Sequence, residues 1–100
     1  MNKQQLQEFL MNKPPYMNCG WLICKDGYHL SIQASNTHYS KPRKNYVVWS
    51  EVEVMPKTGK LPIKFSEYSS DGEVYGFVPT ELVLNLINEH GGWIGEKNEP

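Results

Sequence analysis

The sequence contains no long apolar run. Its longest apolar runs, "YVVW" and "LVLNLI", are far shorter than the roughly 20 residues that a membrane-spanning helix needs. The N-terminal stretch "MNKQQLQEFLMNK" lacks the apolar core of a secretory signal. We therefore expect a protein of the cytoplasm, and no membrane partner.

Cysteine and net charge are also scarce. Cys19 and Cys24 are the only two cysteines, and their odd separation would place them on opposite faces of an extended segment, which disfavours a disulfide. No Cys-x-x-Cys or His-x-x-x-His pair is present to hold a metal ion. The formal net charge of −1 gives no overall attraction to nucleic acid. We expect no metal, no other cofactor and no general nucleic-acid binding.

Catalytic motifs are missing as well. The chain has no Walker A, GxGxxG, GxSxG or HExxH pattern. His38 lies close in sequence to Ser35, but no motif supplies the orienting group and oxyanion hole that a serine nucleophile needs. We expect no catalytic residue and a binding function, with an enzyme acting through His38 as the alternative.

The hydrophobic periodicity predicts one α+β domain over residues 1–100. Leu6, Phe9 and Leu10 have helical spacing and precede "KPP", so residues 1–15 should form a short N-terminal helix and a proline-rich connection. An apolar stripe between Pro79 and "HGG" predicts a C-terminal helix over 79–91. Residues 95–100 should be a flexible tail.

Residues 20–78 are predicted to form an antiparallel sheet of three or four strands, with the C-terminal helix packed on one face. "WLICK" and "YHLSIQA" flank Asp26-Gly27, which is typical of a β-hairpin. "NYVVWSEVEVM" alternates as a third long strand and "EVYGFV" as a fourth. Residues 56–72 have no clear pattern; Pro62 permits an edge strand, and a short helical turn is equally allowed.

The most unusual stretch is "SNTHYSKPRKN", the 35–45 loop, which is far longer than the two to five residues of most hairpin loops. Arginine and lysine side chains bind phosphate or carboxylate, hydroxyl groups add directional hydrogen bonds, and an aromatic ring stacks. The alternative is an exposed connection that is polar because loops are solvated. The predicted ligand-binding residues, which include the exposed row of the preceding strand, are Gln33, Ser35, Thr37, His38, Tyr39, Lys41, Arg43 and Lys44.

A second predicted surface is aromatic. Trp49 alternates in register with Glu51 and Glu53, so it should lie on the exposed face of the sheet. Tyr75 and Phe77 would extend that face into a partner-binding patch. Alternatively, the N-terminal helix or a second subunit of a homo-oligomer covers these rings.

"QAS" at 33–35, "HY" at 38–39 and "PR" at 42–43, together with "YGFVPTELV" and "HGG", resemble a group of small uncharacterised proteins encoded by bacteriophages and prophages. The resemblance covers most of residues 29–92. Ser40 stands where the group has cysteine, which argues against a role that needs a thiol there. The resemblance implies a phage accessory protein, and such proteins commonly interfere with host defence by masking a defence protein or by sequestering a nucleotide signal.

We therefore expect a non-enzymatic anti-defence protein whose 35–45 loop binds a small phosphate-bearing ligand or an acidic surface of a host defence protein. One alternative is an inhibitor of a host defence protein that uses the aromatic sheet face. Another is a small structural phage protein without a ligand.

Overall fold

The structure, a computed structural model, describes residues 1–13 and 18–97. It has an α+β fold with a five-stranded antiparallel sheet in the order β4-β3-β2-β1-β5. The prediction of three or four strands is therefore too low by at least one. In chain order the elements are α1 (Lys3–Met11), β1 (Trp21–Cys24), β2 (His29–Gln33), β3 (Glu51–Pro56), a 3₁₀ helix (Ile63–Tyr68), β4 (Tyr75–Pro79), α2 (Thr80–Glu89) and β5 (Trp93–Lys97).

The additional strand is β5, which lies at the edge of the sheet and pairs with β1. Gly91 and Gly92 both have positive φ, +90° and +93°, and they reverse the chain directly after α2. The reversal brings "WIGEK" beside the otherwise free edge of β1, whose backbone groups it pairs. The predicted flexible tail is thus wrong for residues 95–97, and residues 98–100 lie outside the described residues.

Both predicted helices are confirmed, and local sequence explains their ends. The Asn2 side chain accepts a hydrogen bond from the Gln5 N–H, and the Gln5 side chain accepts one from the Asn2 N–H, so α1 begins with a capping box. α2 begins at Thr80, one residue after Pro79. The predicted hairpin is confirmed too, since β1 and β2 pair across Gly27, which has a φ of +93°.

One apolar core joins both helices to one face of the sheet. Alternate residues of the three central strands point into it, and α1 and α2 each contribute one buried stripe. The core residues of the sheet are Leu22, Cys24, Leu30, Ile32, Val52, Val54, Tyr75 and Val78. The 35–45 loop follows β2 and is bonded through its backbone to Glu51 of β3 and Phe77 of β4.

The third strand is shorter than its alternating pattern predicted. It begins at Glu51, and residues 45–50 form an irregular segment in which Tyr46 has a positive φ of +54°. Of the two alternatives for residues 56–72, the helical turn is present, over Ile63–Tyr68. No helix within residues 1–13 and 18–97 combines the length and the apolar content needed to cross a membrane.

Candidate functional site

The 35–45 loop is an ordered excursion from the sheet. β2 ends at Gln33, and Lys41 then pairs with Glu51 of β3 through backbone hydrogen bonds (Lys41 N to Glu51 O, 2.9 Å). Lys41 thereby occupies the position beside β3 that a longer β2 would have filled. The Phe77 N–H donates to the Tyr39 carbonyl (2.9 Å), which attaches the middle of the loop to β4.

A buried polar cluster holds the first half of the loop. Ser35 Oγ lies 2.6 Å from His38 Nδ1 and accepts a hydrogen bond from the Thr37 N–H (3.1 Å). Ser40 Oγ donates to the Ser35 carbonyl (3.0 Å) and accepts from the Ser35 N–H (3.2 Å). The prediction that Ser35 is exposed is wrong, because its exposed fraction is 0%. The Thr37 hydroxyl, 3.0 Å from Ser35 Oγ, belongs to the same network.

His38 is half-buried and held from both sides of its ring. Its Nε2 lies 2.9 Å from Asn18 Oδ1, and since this oxygen only accepts, Nε2 carries the proton and Nδ1 accepts from Ser35 Oγ. Burial lowers the pKa of His38, with the nearby Arg43 charge acting in the same direction and Glu53 opposing it. The neutral ring therefore fits its surroundings.

Serine, histidine and asparagine in this order also occur in nucleophilic active sites, where the imidazole activates the hydroxyl. In this chain the Ser35 hydroxyl faces into the loop and has no exposed surface. It is also occupied as the acceptor of the Thr37 N–H. A substrate has no access to Ser35. Asn18, Ser35 and His38 form a hydrogen-bonded chain that fixes the first half of the loop.

Gln33 is buried as well, which corrects the prediction that it lies on an exposed row with Ser31. The Cys19 N–H donates to Gln33 Oε1 (2.8 Å), while Gln33 Nε2 donates to the Cys19 carbonyl (3.0 Å) and to Ser31 Oγ (2.9 Å). The Gln33 side chain thus makes hydrogen bonds to both the N–H and the carbonyl of Cys19, which the backbone of a paired strand would otherwise make. Strand alternation identifies two faces, but it cannot show that residue 19 covers one of them.

The two cysteines are buried thiols whose surroundings disfavour the thiolate form. Both are free and buried, and burial raises the pKa of each thiol to about 11. Residues 1–13 and 18–97 contain no group of three or more histidine, cysteine, aspartate or glutamate side chains that could hold a metal ion.

The three cations of the loop are exposed. Within the described part of the chain, no carboxylate lies within 4 Å of the charged nitrogens of Lys41, Arg43 or Lys44. The Arg43 guanidinium carbon lies 5.5 Å from the centroid of the Tyr39 ring, within the range of a cation–π contact. These side chains are therefore available to a ligand or a partner.

The predicted aromatic surface is wrong at Trp49, which is only 2% exposed. Its indole N–H donates to the Lys44 carbonyl (3.0 Å), and its backbone N–H and carbonyl both bond to the Gln7 side-chain amide of α1. Because residues 45–50 are not a strand, the alternation that placed Trp49 beside Glu51 does not apply. Gln7 of α1 is bonded to the backbone of Trp49, and the N-terminal helix was one of the two elements expected to cover the ring.

Tyr75 is also buried, at 3% exposure, because β4 contains a bulge. Val52 pairs with Val78 and Val54 pairs with Tyr75. One residue lies between the two paired positions in β3 and two residues lie between them in β4, so β4 has one additional residue. The additional residue places Tyr75 and Val78 on the same face. Phe77 lies within the bulge with a φ of +54° and an exposure of 42%, as the prediction of an exposed ring required.

The structure thus brings together one predicted aromatic residue and two predicted loop residues. We call Tyr39, Phe77 and Arg43 the aromatic cluster. The Tyr39 and Phe77 rings are 5.9 Å apart at an angle of 49°. A Cβ atom on Gly76 would lie 3.0 Å from Tyr39 Cβ, so the loop approaches the bulge closely because that position has no side chain.

A groove of about 750 Å³ adjoins the aromatic cluster. Tyr39 and Phe77 belong to its walls, together with Tyr68 of the 3₁₀ helix. Sequence reasoning missed this groove, because its walls come from three segments that are distant along the chain. The only available signal was the unusual length of the 35–45 loop.

Family models, curated proteins and solved structures were each compared with this chain, and none of the three comparisons found a match.

Proposed function

We propose that this chain is a non-enzymatic binding protein that recognises a partner protein through the aromatic cluster. The observation that carries the proposal is that Tyr39 and Phe77 are 50% and 42% exposed although both backbones are fixed. Tyrosine and arginine are enriched among the residues that dominate binding energy at interfaces, and aromatic rings are enriched in interface cores. Little backbone order remains to be acquired when such a surface meets its partner.

The backbone of Phe77 gives independent support. A non-glycine residue in the left-handed region costs on the order of 1 kcal/mol or more. Phe77 bears this cost at φ +54° without burying its ring in the core. Strained residues with exposed side chains are typical of positions that present a group to a ligand.

The resemblance to phage proteins suggests the class of partner. We propose a host defence protein whose activity is inhibited by the complex. In this complex Arg43 would meet an acidic group of the partner, since it has no carboxylate within 4 Å in the described part of the chain.

A second candidate function is the binding of a small phosphate-bearing ligand, such as a nucleotide signal. It is favoured by the same absence of ion pairs at Lys41, Arg43 and Lys44 within residues 1–13 and 18–97. On this view Arg43 is the bidentate phosphate contact and Tyr39 stacks on the base. Ser35 and Gln33 would support the loop from inside rather than touch the ligand.

The test is quantitative affinity capture from host lysate with the wild-type chain and with Phe77→Asn. Asparagine tolerates positive φ, so this variant removes the ring without adding strain. Ile94→Asn is the matched control, because Ile94 is 65% exposed on β5 at the other edge of the sheet. We expect a partner that is retained by the control and reduced at least about thirtyfold by Phe77→Asn, as for an interface hot spot of 2 kcal/mol.

Arg43→Ala separates the two functions when native mass spectra of the purified protein are compared. A bound small molecule that disappears in Arg43→Ala but persists in Phe77→Asn supports the phosphate ligand. Equal capture of every host protein by the wild type and by Phe77→Asn contradicts the partner-protein proposal.

A further inference from the structure

We propose that the groove beside the aromatic cluster accepts a lysine or arginine side chain of the partner protein, an inference that rests on the proposed function. The groove holds about 750 Å³ and is lined by three carboxylates, those of Glu51, Glu67 and Asp71. Among the described residues, no lysine, arginine or histidine lines it. The chain as a whole has a net charge of only −1, so this concentration of negative charge is a local feature.

Two of these carboxylates are free to pair with a ligand. Glu51 and Glu67 take part in no side-chain hydrogen bond or ion pair among residues 1–13 and 18–97. Asp71 is fixed instead, since its Oδ1 accepts from the N–H groups of Glu73 (2.8 Å) and Val74 (3.2 Å). These hydrogen bonds hold the pKa of Asp71 below its usual value, so it remains ionised at neutral pH.

The walls of the groove fit an organic cation. Tyr39, Phe77 and Tyr68 line it with aromatic rings, which attract ammonium and guanidinium groups through their faces and pack against the methylene groups of a long side chain. The carboxylates are too dispersed for a metal ion, because the described residues contain no group of three that could hold one. A side chain that carries its charge at the end of an apolar stem meets both requirements.

The groove and the aromatic cluster share Tyr39 and Phe77. A partner that packs on these two rings is therefore placed to extend a basic side chain into the groove. Complementary charge at this position would accelerate association and select the orientation of the complex. We accordingly expect the partner surface to combine an apolar patch for the rings with at least one lysine or arginine.

The experiment is a selection of random dodecapeptides, displayed on filamentous phage, against the full chain. We expect selected peptides to be enriched in lysine or arginine beside apolar residues. Binding of the synthetic peptides should fall by at least about tenfold in the double variant Glu51→Gln, Glu67→Gln. It should change less than about twofold in Glu8→Gln, Glu73→Gln, which removes the same charge from exposed positions outside the groove.

Glu67→Gln alone provides a second variant, because Glu67 is exposed on the 3₁₀ helix and its substitution does not alter the sheet. Peptides that bind equally to the wild type and to the groove variants overturn the inference. Acidic peptides that depend on Arg43 overturn it as well, while they leave the proposed function in place. A host partner that is lost in Phe77→Asn but unaffected in the groove variants likewise overturns only the inference about the groove.

Discussion

Replacement of Gln33 by leucine distinguishes a structural role from a ligand-binding role for this residue. In the structure the Gln33 amide satisfies the N–H and the carbonyl of Cys19 and also bonds to Ser31 Oγ. Gln33 is 2% exposed and Cys19 is 3% exposed. Leucine has a similar volume but no polar atom, so Gln33→Leu leaves the backbone groups of Cys19 buried without partners.

The expected loss follows from these groups. Each buried polar group left without a hydrogen bond costs about 1–3 kcal/mol. The more apolar leucine and some water entry at residue 19 offset part of the loss for the two Cys19 groups. We therefore expect the free energy of unfolding to fall by about 2–4 kcal/mol, a large part of the roughly 5–15 kcal/mol of a small domain.

Urea unfolding followed by tryptophan fluorescence measures this change. With a typical m-value, the midpoint should fall by about 1–2 M for Gln33→Leu. Gln4→Leu is the control, because Gln4 is exposed on α1, and its stability should stay within about 0.5 kcal/mol of the wild type. A Gln33→Leu protein with wild-type midpoint and m-value would refute the structural role. If that stable variant also lost ligand binding, the original assignment of Gln33 to a binding site would be supported instead.

Three further changes test other parts of the structure. Burial lowers the pKa of His38, so its contribution to stability is present above the unfolded pKa of about 6.5 and is lost as pH falls through the lower folded pKa. Between pH 7.5 and pH 5, the free energy of unfolding measured with urea should therefore fall more for the wild type than for His38→Gln. Equal falls in the two proteins would contradict this. Phe77→Gly should be more stable than Phe77→Ala by about 1 kcal/mol, because both lack the ring and only alanine is strained at φ +54°. If thermal unfolding shows the alanine variant to be as stable as the glycine variant or more stable, the positive φ is excluded. Trp49→Ala should cost about 3–5 kcal/mol, and Trp93→Ala should cost less because Trp93 is 36% exposed. The reverse order in urea unfolding would place Trp49 on the surface.

Elements determined by neighbouring residues were predictable from the sequence. The helical spacing of Leu6, Phe9 and Leu10 is enough to indicate α1. The turn at Asp26-Gly27 is indicated by a glycine suited to positive φ. α2 is of the same kind. The α+β class follows from these elements together with the alternation of the strands.

The residues of the proposed binding surface were predictable only in part. The length and charge of the 35–45 loop indicated Tyr39, Arg43 and the lysines as exposed groups, and the structure has them exposed. Gln33 and Ser35 were assigned to an exposed row, and both are buried. Alternation along a strand shows which residues share a face, but the segment that covers that face comes from elsewhere in the chain.

The sequence by itself determined the two helices, the hairpin, the class of the fold and the basic, polar character of the loop, because each depends on residues within a few positions of one another. Only the tertiary structure decided that Trp49 and Tyr75 are buried and that residues 93–97 pair with β1. It alone also placed the rings of Tyr39 and Phe77 side by side next to a groove. A single added residue in β4 reverses which side chains face the core. Such a bulge, like a free sheet edge or a covering helix, depends on contacts between distant segments and leaves no periodic signal in the chain.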